Sequence, residues 1–317
     1  MVGVCITTYN HERYVELCIK SVLSQKCDEA ISLYIGEDCS KDKTKDICVE
    51  YASQYPNIHL FCRSVNVGLA ANTIDLLQKM YDDGCEYIAM LDGDDYWIDD
   101  CKLQKQVNFL RQNSQYGLVH TDYYEQRHER LVPPVRISTT PVGSVVKSYQ
   151  YYGADIMNCT VLFRANLLRY CHMEDYLQFL VVDFVMYGVF AIYTQFAYIP
   201  TKTSVWRVHT SVSHPKTSKE IIRYYQDKKG TWKYLHKTYP TIYPYSEVEA
   251  EGRINSVRLN LAYLTNNILL AKEALKYIVF PGTLKMRIKL CAAHFSWTFH
   301  LLVRIINHKN NHHGILY

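Results

Sequence analysis

Two aspartates one residue apart, Asp92-Gly93-Asp94, stand directly behind the apolar run Tyr87-Ile88-Ala89-Met90-Leu91. Paired carboxylates at a strand end can hold a hard divalent ion that keeps open positions for phosphate oxygens. Such an ion neutralises charge as a diphosphate leaves. The blander alternative is an acidic turn in which Asp95 or Asp99 caps the helix beginning near Lys102. A calcium loop of the EF-hand kind is excluded, because its sixth and twelfth positions would be Trp97 and Leu103 in place of Gly and Glu.

Three further polar clusters follow apolar runs in the same way. Thr7-Thr8-Tyr9-Asn10 follows Val2 to Ile6, Glu37-Asp38-Cys39-Ser40-Lys41-Asp42 follows Ile31 to Gly36, and Asn66-Val67-Gly68 comes shortly after Ile58 to Cys62. The apolar runs read as strands, and between them lie windows at helical spacing, such as Val15, Cys18, Ile19 and Val22. Strand and helix in this rhythm predict a mostly parallel sheet flanked by helices, an α/β fold. Ligands in such sheets bind at the carboxyl ends of the strands, where all four clusters fall. No Gly-x-Gly-x-x-Gly follows a strand and no phosphate-binding P-loop motif occurs, so neither a dinucleotide nor a P-loop site is signalled.

Beyond these strands, Arg127 to Val146 carries three prolines and predicts a surface loop or hairpin. Strand character resumes at Met157 to Phe163, a helical window covers Val182 to Ile192, and Phe196 to His209 reads as extended chain. Lys219 to His236, Ser246 to Tyr277 and Thr283 to Ile306 read as helical. A domain change is expected near residue 213, giving a catalytic domain at 1–212 and a helical region at 213–317.

The 317 residues leave room for two domains, and 48% hydrophobic with 21% charged content excludes a disordered chain. Eleven cysteines without any C-x-x-C argue against a zinc site or redox pair. The start, Met1-Val2-Gly3-Val4-Cys5-Ile6, reads as a buried strand and not as a secretory signal, so a reducing cytoplasmic compartment is expected. The net charge of +4 hides an asymmetry. Residues 1–130 hold 13 Lys+Arg against 21 Asp+Glu, and residues 131–317 hold 22 against 10.

In order and spacing, Thr7-Thr8-Tyr9-Asn10, Glu37 to Thr44, Asn66-Val67-Gly68 and Asp92-Gly93-Asp94-Asp95-Tyr96-Trp97 resemble the GT-A glycosyltransferases of family 2. The resemblance covers residues 1–212. It implies an inverting transfer of one sugar from a nucleotide-diphosphate sugar, commonly a UDP-sugar, with Mg2+ or Mn2+. It implies further that Thr7, Tyr9 and Asn66 line the nucleotide pocket, that Asp38 accepts from the base, that Asp92 lies near the ribose and that Asp94 binds the metal. The chemistry of the side chains agrees, since a carboxylate accepts from the N3–H of uracil and Tyr9 offers a face for stacking. The blander alternatives are that Asp38 or Ser40 caps the next helix and that Tyr9, one of 28 tyrosines, is an ordinary core or surface residue. The chain departs from the family in having Glu37, Asp38 and Cys39 where two aspartates and a small residue are usual. It also has Ala70-Ala71-Asn72 where a basic residue is usual, so the diphosphate needs another cation, such as Arg63, Lys41 or Arg207.

Inverting transfer needs a base for the acceptor hydroxyl. Asp183, in Leu180-Val181-Val182-Asp183-Phe184, is a lone carboxylate in an apolar helix-like run, where burial would raise its pKa. Its place resembles that of the family's base, although the usual preceding Glu is Val182. A paired or capping Asp is the alternative, and Asp155, Glu174 and Asp175 are weaker candidates. Trp206-Arg207-Val208-His209 resembles a Tyr-Arg-x-His element near the diphosphate, with Arg207 suited to bidentate phosphate contact and His209 to a metal or phosphate. The absence of Gln-x-x-Arg-Trp argues against a processive synthase.

From Ala274 to Tyr317 there is no acidic residue, and Lys276, Lys285, Arg287, Lys289, Arg304 and Lys309 are basic. Leu284, Ile288, Cys291, Phe295, Phe299, Leu302 and Ile306 would share one helix face. The longest uncharged run, Leu290 to Val303, is too short to span a bilayer. It suits either an interfacial helix on an anionic membrane, with Phe295, Trp297 and Phe299 in the interface, or a helix packed on the catalytic domain. The expected partners are a nucleotide-sugar donor, a glycan or lipid-linked acceptor and an anionic membrane face, with no nucleic acid. Two other classes stay open at this point. A sugar nucleotidyltransferase would carry a Gly-rich basic loop after its first strand, where this chain has Thr-Thr-Tyr-Asn. A non-catalytic nucleotide-sugar-binding or scaffold protein would keep the fold and release no diphosphate.

Overall fold

The computed structural model describes residues 1–127, 129–134, 156–208, 217–275, 289, 293 and 299–303. Among them, nine strands form one mixed sheet in the order β3-β2-β1-β4-β8-β6-β9-β5, with β7 beside β6. At its centre is β1 (Val2–Thr8), whose seven residues are all buried. A strand with no polar face needs cover on both sides, which parallel crossovers supply. It pairs in parallel with β2 (Ile31–Glu37) and β4 (Tyr87–Asp92), and β2 pairs in parallel with β3 (Ile58–Cys62). The register sets Thr7 opposite both Gly36 and Asp92, and Glu37 opposite Cys62, so the four polar clusters finish at one level.

On one face, α1 (Val15–Leu23), α2 (Thr44–Gln54) and α4 (Lys102–Gln112) bury Val15, Cys18, Ile19, Val22, Cys48, Leu103, Val107 and Leu110 against Val4, Ile6, Leu33 and Leu91. The opposite face carries α3 (Leu69–Asp82). A side chain at Gly3 would come within 2.9 Å of the Met80 sulfur, so the small residue lets this helix lie close. The same layer includes α6 (Asp183–Tyr193), where Phe190 packs on Phe163 with ring centroids 5.1 Å apart. A single short turn, α5 (Met173–Tyr176), precedes it.

The far half of the sheet is where topology departs from a simple parallel pattern. Antiparallel to β4 runs β8 (Leu162–Arg164), which pairs antiparallel with β6 (Tyr116–Arg127), itself antiparallel to β7 (Arg130–Val132) and parallel to β9 (Gln195–Arg207). Strand β9 then pairs antiparallel with the short β5 (Tyr96–Trp97), setting Tyr96 opposite Val205. That last pairing returns Arg207 to the acidic turn. The strand expected at Met157 to Phe163 is therefore corrected. Asn158–Thr160 is a 3-10 turn, closed by the Thr160 hydroxyl on the Met157 carbonyl at 2.7 Å, and the strand begins only at Leu162. The long β6 is masked in the sequence by its buried His120, Thr121 and Asp122.

His120 is 1% exposed, its ring lies tilted against that of Tyr198 with centroids 5.1 Å apart, and its Nε2 has no hydrogen-bond partner. Burial pushes its pKa down to about 4. The unfolded chain, with an ordinary histidine near 6.5, then binds the extra proton first, so stability is lost as pH falls from about 6.5 to about 4. Denaturation curves across that window are expected to show the parent losing about 3 kcal/mol more than His120→Phe.

The chain divides into two compact units, Met1–His209 with Lys237–Tyr243, and Thr210–His236 with Pro244–Tyr317. The second contains α7 (Ser218–Thr238) up to His236, α8 (Glu247–Leu264) and α9 (Ile268–Leu275). Lys229 ties α7 to Glu247 and Glu251 of α8. The single helix expected from Ser246 to Tyr277 is corrected, because Asn266 takes a left-handed φ of 52° and breaks it between α8 and α9. Phe299 is corrected too. It is fully buried against Tyr263, Leu259 and Ala271 in the core of this unit, where an interfacial side chain would be exposed. Residues 284–288, 290–292, 294–298 and 304–317, with the rest of the predicted basic face, lie outside the described residues, as do residues 128 and 135–146 of the predicted loop. No described helix is long and apolar enough to cross a membrane.

Candidate active site

The loop after β1 and the loop after β2 are joined by reciprocal bonds. Asn10, at a left-handed φ of 55°, donates its N–H to Ser40 Oγ at 2.9 Å and accepts the Lys41 N–H on its side chain at 2.8 Å. The His11 N–H reaches Thr44 Oγ1 at 2.7 Å, and the Glu12 N–H reaches Asp42 Oδ2 at 3.1 Å. Tyr9 is half-buried in this loop, and Lys41 is exposed. The third strand end joins through Asp38, which is 3% exposed. Its two carboxylate oxygens accept the N–H groups of Val67 at 2.8 Å and Gly68 at 2.9 Å, while the exposed Asn66 donates to its carbonyl at 3.1 Å. Asp38 thus fastens the start of α3, a different capping role from the one at α2 considered above. Each oxygen keeps a second lone pair for a ligand.

Glu37 is fully buried, with one carboxylate oxygen on the Ser40 N–H at 2.7 Å and the other unpartnered. Asn72 stands beside it and bonds the Gly36 carbonyl at 2.8 Å. A side chain at Gly36 would lie 2.3 Å from Asn72 Oδ1. Gly36→Ala is accordingly expected to cost ~1–3 kcal/mol in thermal or denaturant unfolding, by pushing Asn72 off the strand end. Arg63, one of the cations considered for the diphosphate, is already committed to Asp75 at 2.5 Å and to Asn72 at 3.2 Å.

At the fourth strand end, Thr7 is 6% exposed and donates its hydroxyl to Asp92 Oδ1 at 3.2 Å. Asn158 donates to Asp92 Oδ2 at 3.4 Å and is itself held by the Tyr187 hydroxyl at 2.8 Å. Tyr187 lies one turn after Asp183 on α6, so this chain of bonds fixes the helix start against the acidic strand end. Gly93 is required by closeness, since a Cβ there would meet Thr8 Oγ1 at 2.6 Å. Asp94 is 9% exposed and Asp95 2% exposed. His11 bridges Thr8 Oγ1 at 3.2 Å and Asp94 Oδ2 at 3.8 Å.

Burial, then the charges of Asp94 and Asp183, push the Asp92 carboxyl up to about 7. Burial, then Asp94 and Asp92, hold Asp95 well above the usual carboxylate range. The oxygen ligands of Asp92, Asp94 and Asp95 are of the chemical class that suits Mg2+ or Mn2+, although the three do not converge within 4.8 Å of one another. Asp183 is the first residue of α6 and half-buried, with Oδ1 accepting the Phe184 N–H at 2.6 Å. The expectation of a carboxylate enclosed within an apolar helix is corrected: the apolar residues Phe184 to Ala191 follow it, and it faces the strand end from the helix terminus.

Arg207 closes the turn. Its N–H donates to Asp95 Oδ1 at 2.9 Å and its Nη1 to the Asp94 carbonyl. The structure thus brings Thr7, Asp92, Asp94, Asp183 and Arg207 together, and builds Asp38 and Asn66 into the adjoining loop with Tyr9 nearby. His209 and Asp155 lie outside the described residues. Glu174 lines a cavity with Gln78 and Tyr81, at the amino end of the sheet. Asp99, Asp100 and Cys101 are the only described trio of possible ligands within 4.8 Å of one another, and Lys105 and Lys26 already pair with the two aspartates. His11 and Tyr14 lie just after the first motif and Tyr96 within the fourth, while Asn158 reaches the site with no sequence signal at all.

The family model "Glycosyl transferase family 2" matches residues 3–171. The dTDP-rhamnosyl transferase RfbG of Shigella flexneri is 33% identical over 138 residues, 42% of this chain and 47% of that one. The chain matches less than half the length of such curated relatives. Among solved structures, Staphylococcus aureus TarS 1–349 with UDP-GlcNAc aligns at a TM-score of 0.59 and 13% identity, over 100% of this chain and 93% of that one. The mannosyltransferase PcManGT of Pyrobaculum calidifontis, in complex with GDP-Man and Mn2+, aligns at 0.52 and 16% identity, over 99% and 88%. Both likenesses are of fold.

Proposed function

The chain belongs to glycosyl transferase family 2 with a GT-A fold, and from that premise we propose that it transfers a single sugar, with inversion, from a nucleotide-diphosphate sugar to a hydroxyl of a glycan or lipid-linked acceptor in surface polysaccharide synthesis. The observation that carries this reading is the level finish of four strand ends, with Asp92, Asp94 and Asp95 facing the start of α6 and the end of β9. Thr7, Tyr9, Asp38 and Asn66 bind the nucleotide, and Asp92 lies near the ribose. Asp94 holds Mg2+ or Mn2+, with His209 as a further candidate ligand, and the ion when bound neutralises the departing diphosphate.

Asp183 takes the proton from the acceptor hydroxyl as its oxygen attacks the sugar carbon. Arg207 meets the diphosphate, supplying the cation that Ala70-Ala71-Asn72 lacks. A UDP-sugar is the favoured donor, supported by UDP-GlcNAc in TarS, while RfbG and PcManGT keep dTDP and GDP sugars in the panel. The excess of 22 basic over 10 acidic residues in 131–317 suits an anionic acceptor or a membrane face in the cytoplasm.

Incubation with UDP-, dTDP- and GDP-sugars plus Mn2+, with and without lipid-linked acceptors, tests the reading. Acceptor-dependent release of one nucleoside diphosphate is expected. Tight nucleotide binding with no release across the panel would overturn it in favour of a binding protein.

A further inference from the structure

Arg207 is held in an uncommon way for a cation beside several carboxylates. Its guanidinium carbon lies 4.4 Å from the ring centroid of Tyr96 and 5.0 Å from that of Tyr14. The rings come from different elements, Tyr96 from β5 and Tyr14 from the residue before α1. Its Nη1 is used on the Asp94 carbonyl, a main-chain oxygen. Among the described residues, Nε and Nη2 carry no hydrogen bond, and the guanidinium makes no ion pair within 4.0 Å of Asp92, Asp94 or Asp95.

A flexible arginine next to three carboxylates would be expected to fold onto one of them, since a charge-assisted pair is the strongest contact within reach. That collapse would neutralise both the cation and a carboxylate of the strand end. Two aromatic faces offer the competing attraction, and they also fix the guanidinium plane. A fixed plane with unpaired N–H groups loses little freedom on meeting a diphosphate.

We propose that Tyr14 and Tyr96 are positioning residues that hold the Arg207 guanidinium off the neighbouring carboxylates, with its Nε and Nη2 donors directed to the donor diphosphate. The inference rests on the reading of Arg207 as a diphosphate contact. Neither tyrosine needs its hydroxyl for this, so the ring alone should suffice.

The test is calorimetric binding of UDP, with dTDP and GDP in parallel and UMP as control, to the full chain with Mn2+. Tyr14→Leu and Tyr96→Leu are each expected to weaken diphosphate binding about 3- to 30-fold and to leave UMP binding within about twofold. Tyr14→Phe and Tyr96→Phe are expected to restore it to within about twofold of the parent. In an Arg207→Met background the leucine changes should have no further effect, which a merely structural role would not produce. If the parent binds none of the nucleotides, or if Arg207→Met leaves diphosphate affinity unchanged, the functional reading fails. If Arg207→Met weakens binding but the leucine variants do not, or if their effects add in full to Arg207→Met, or if UMP affinity falls equally, the positioning role is overturned.

Discussion

Asp94→Asn is expected to lower sugar transfer by ~10³-fold and to abolish the stimulation of nucleoside-diphosphate binding by Mn2+. The change keeps the size of the side chain and removes one formal charge from a cluster of four carboxylates. A metal at the leaving diphosphate contributes several kcal/mol of charge stabilisation, and its loss corresponds to a rate factor of this order. The fold should not suffer. Asp94 is among the largest causes of the raised pKa of both Asp92 and Asp95, so its neutralisation relieves repulsion in the unliganded chain. A melting temperature equal to or above that of the parent, together with lost metal response, separates this outcome from misfolding. Metal-stimulated binding that survives in Asp94→Asn would move the ion to other ligands.

Asp183→Asn should also stop turnover, by about 10²–10⁴-fold, the usual worth of a general base. Its effect on binding is expected to be small. Asp183 lies at the start of α6 and acts on the strand end through its charge on Asp92. Diphosphate affinity should therefore stay within a few-fold of the parent, and removal of one like charge favours the ionised form of Asp92. Steady-state transfer assayed beside titration calorimetry distinguishes the two variants. Full turnover in Asp183→Asn would place the base elsewhere.

Much of this site was legible because its residues sit where strands end. The runs Val2 to Thr8, Ile31 to Gly36, Ile58 to Cys62 and Tyr87 to Leu91 are mostly apolar, and chain segments of that kind have little choice but a sheet covered on both faces. The polar residues that follow must then emerge together at one edge. The strand β6 was harder to see. Its His120, Thr121 and Asp122 are polar and buried, and their burial depends on Thr203, Tyr198 and Lys202 of β9, which are some 80 residues away.

The sequence by itself determined the α/β class, the family and the four loops that carry the chemistry, because each is set by local pattern: apolar periodicity, turn residues and short motifs. Only the tertiary structure decided which cations and hydrogen bonds reach them. Arg63 and Arg207 were both candidates for the diphosphate along the chain, Arg207 with the added likeness to a Tyr-Arg-x-His element. The pairing of β9 with β5 takes Arg207 to the acidic turn, while Asp75 and Asn72 hold Arg63. Asp38 read as a base contact or helix cap and Asp183 as a lone carboxylate, and packing made one the fastener of the Val67-Gly68 loop and the other the first residue of a helix facing Asp92. Long-range register fixes such partners, and no local pattern encodes it.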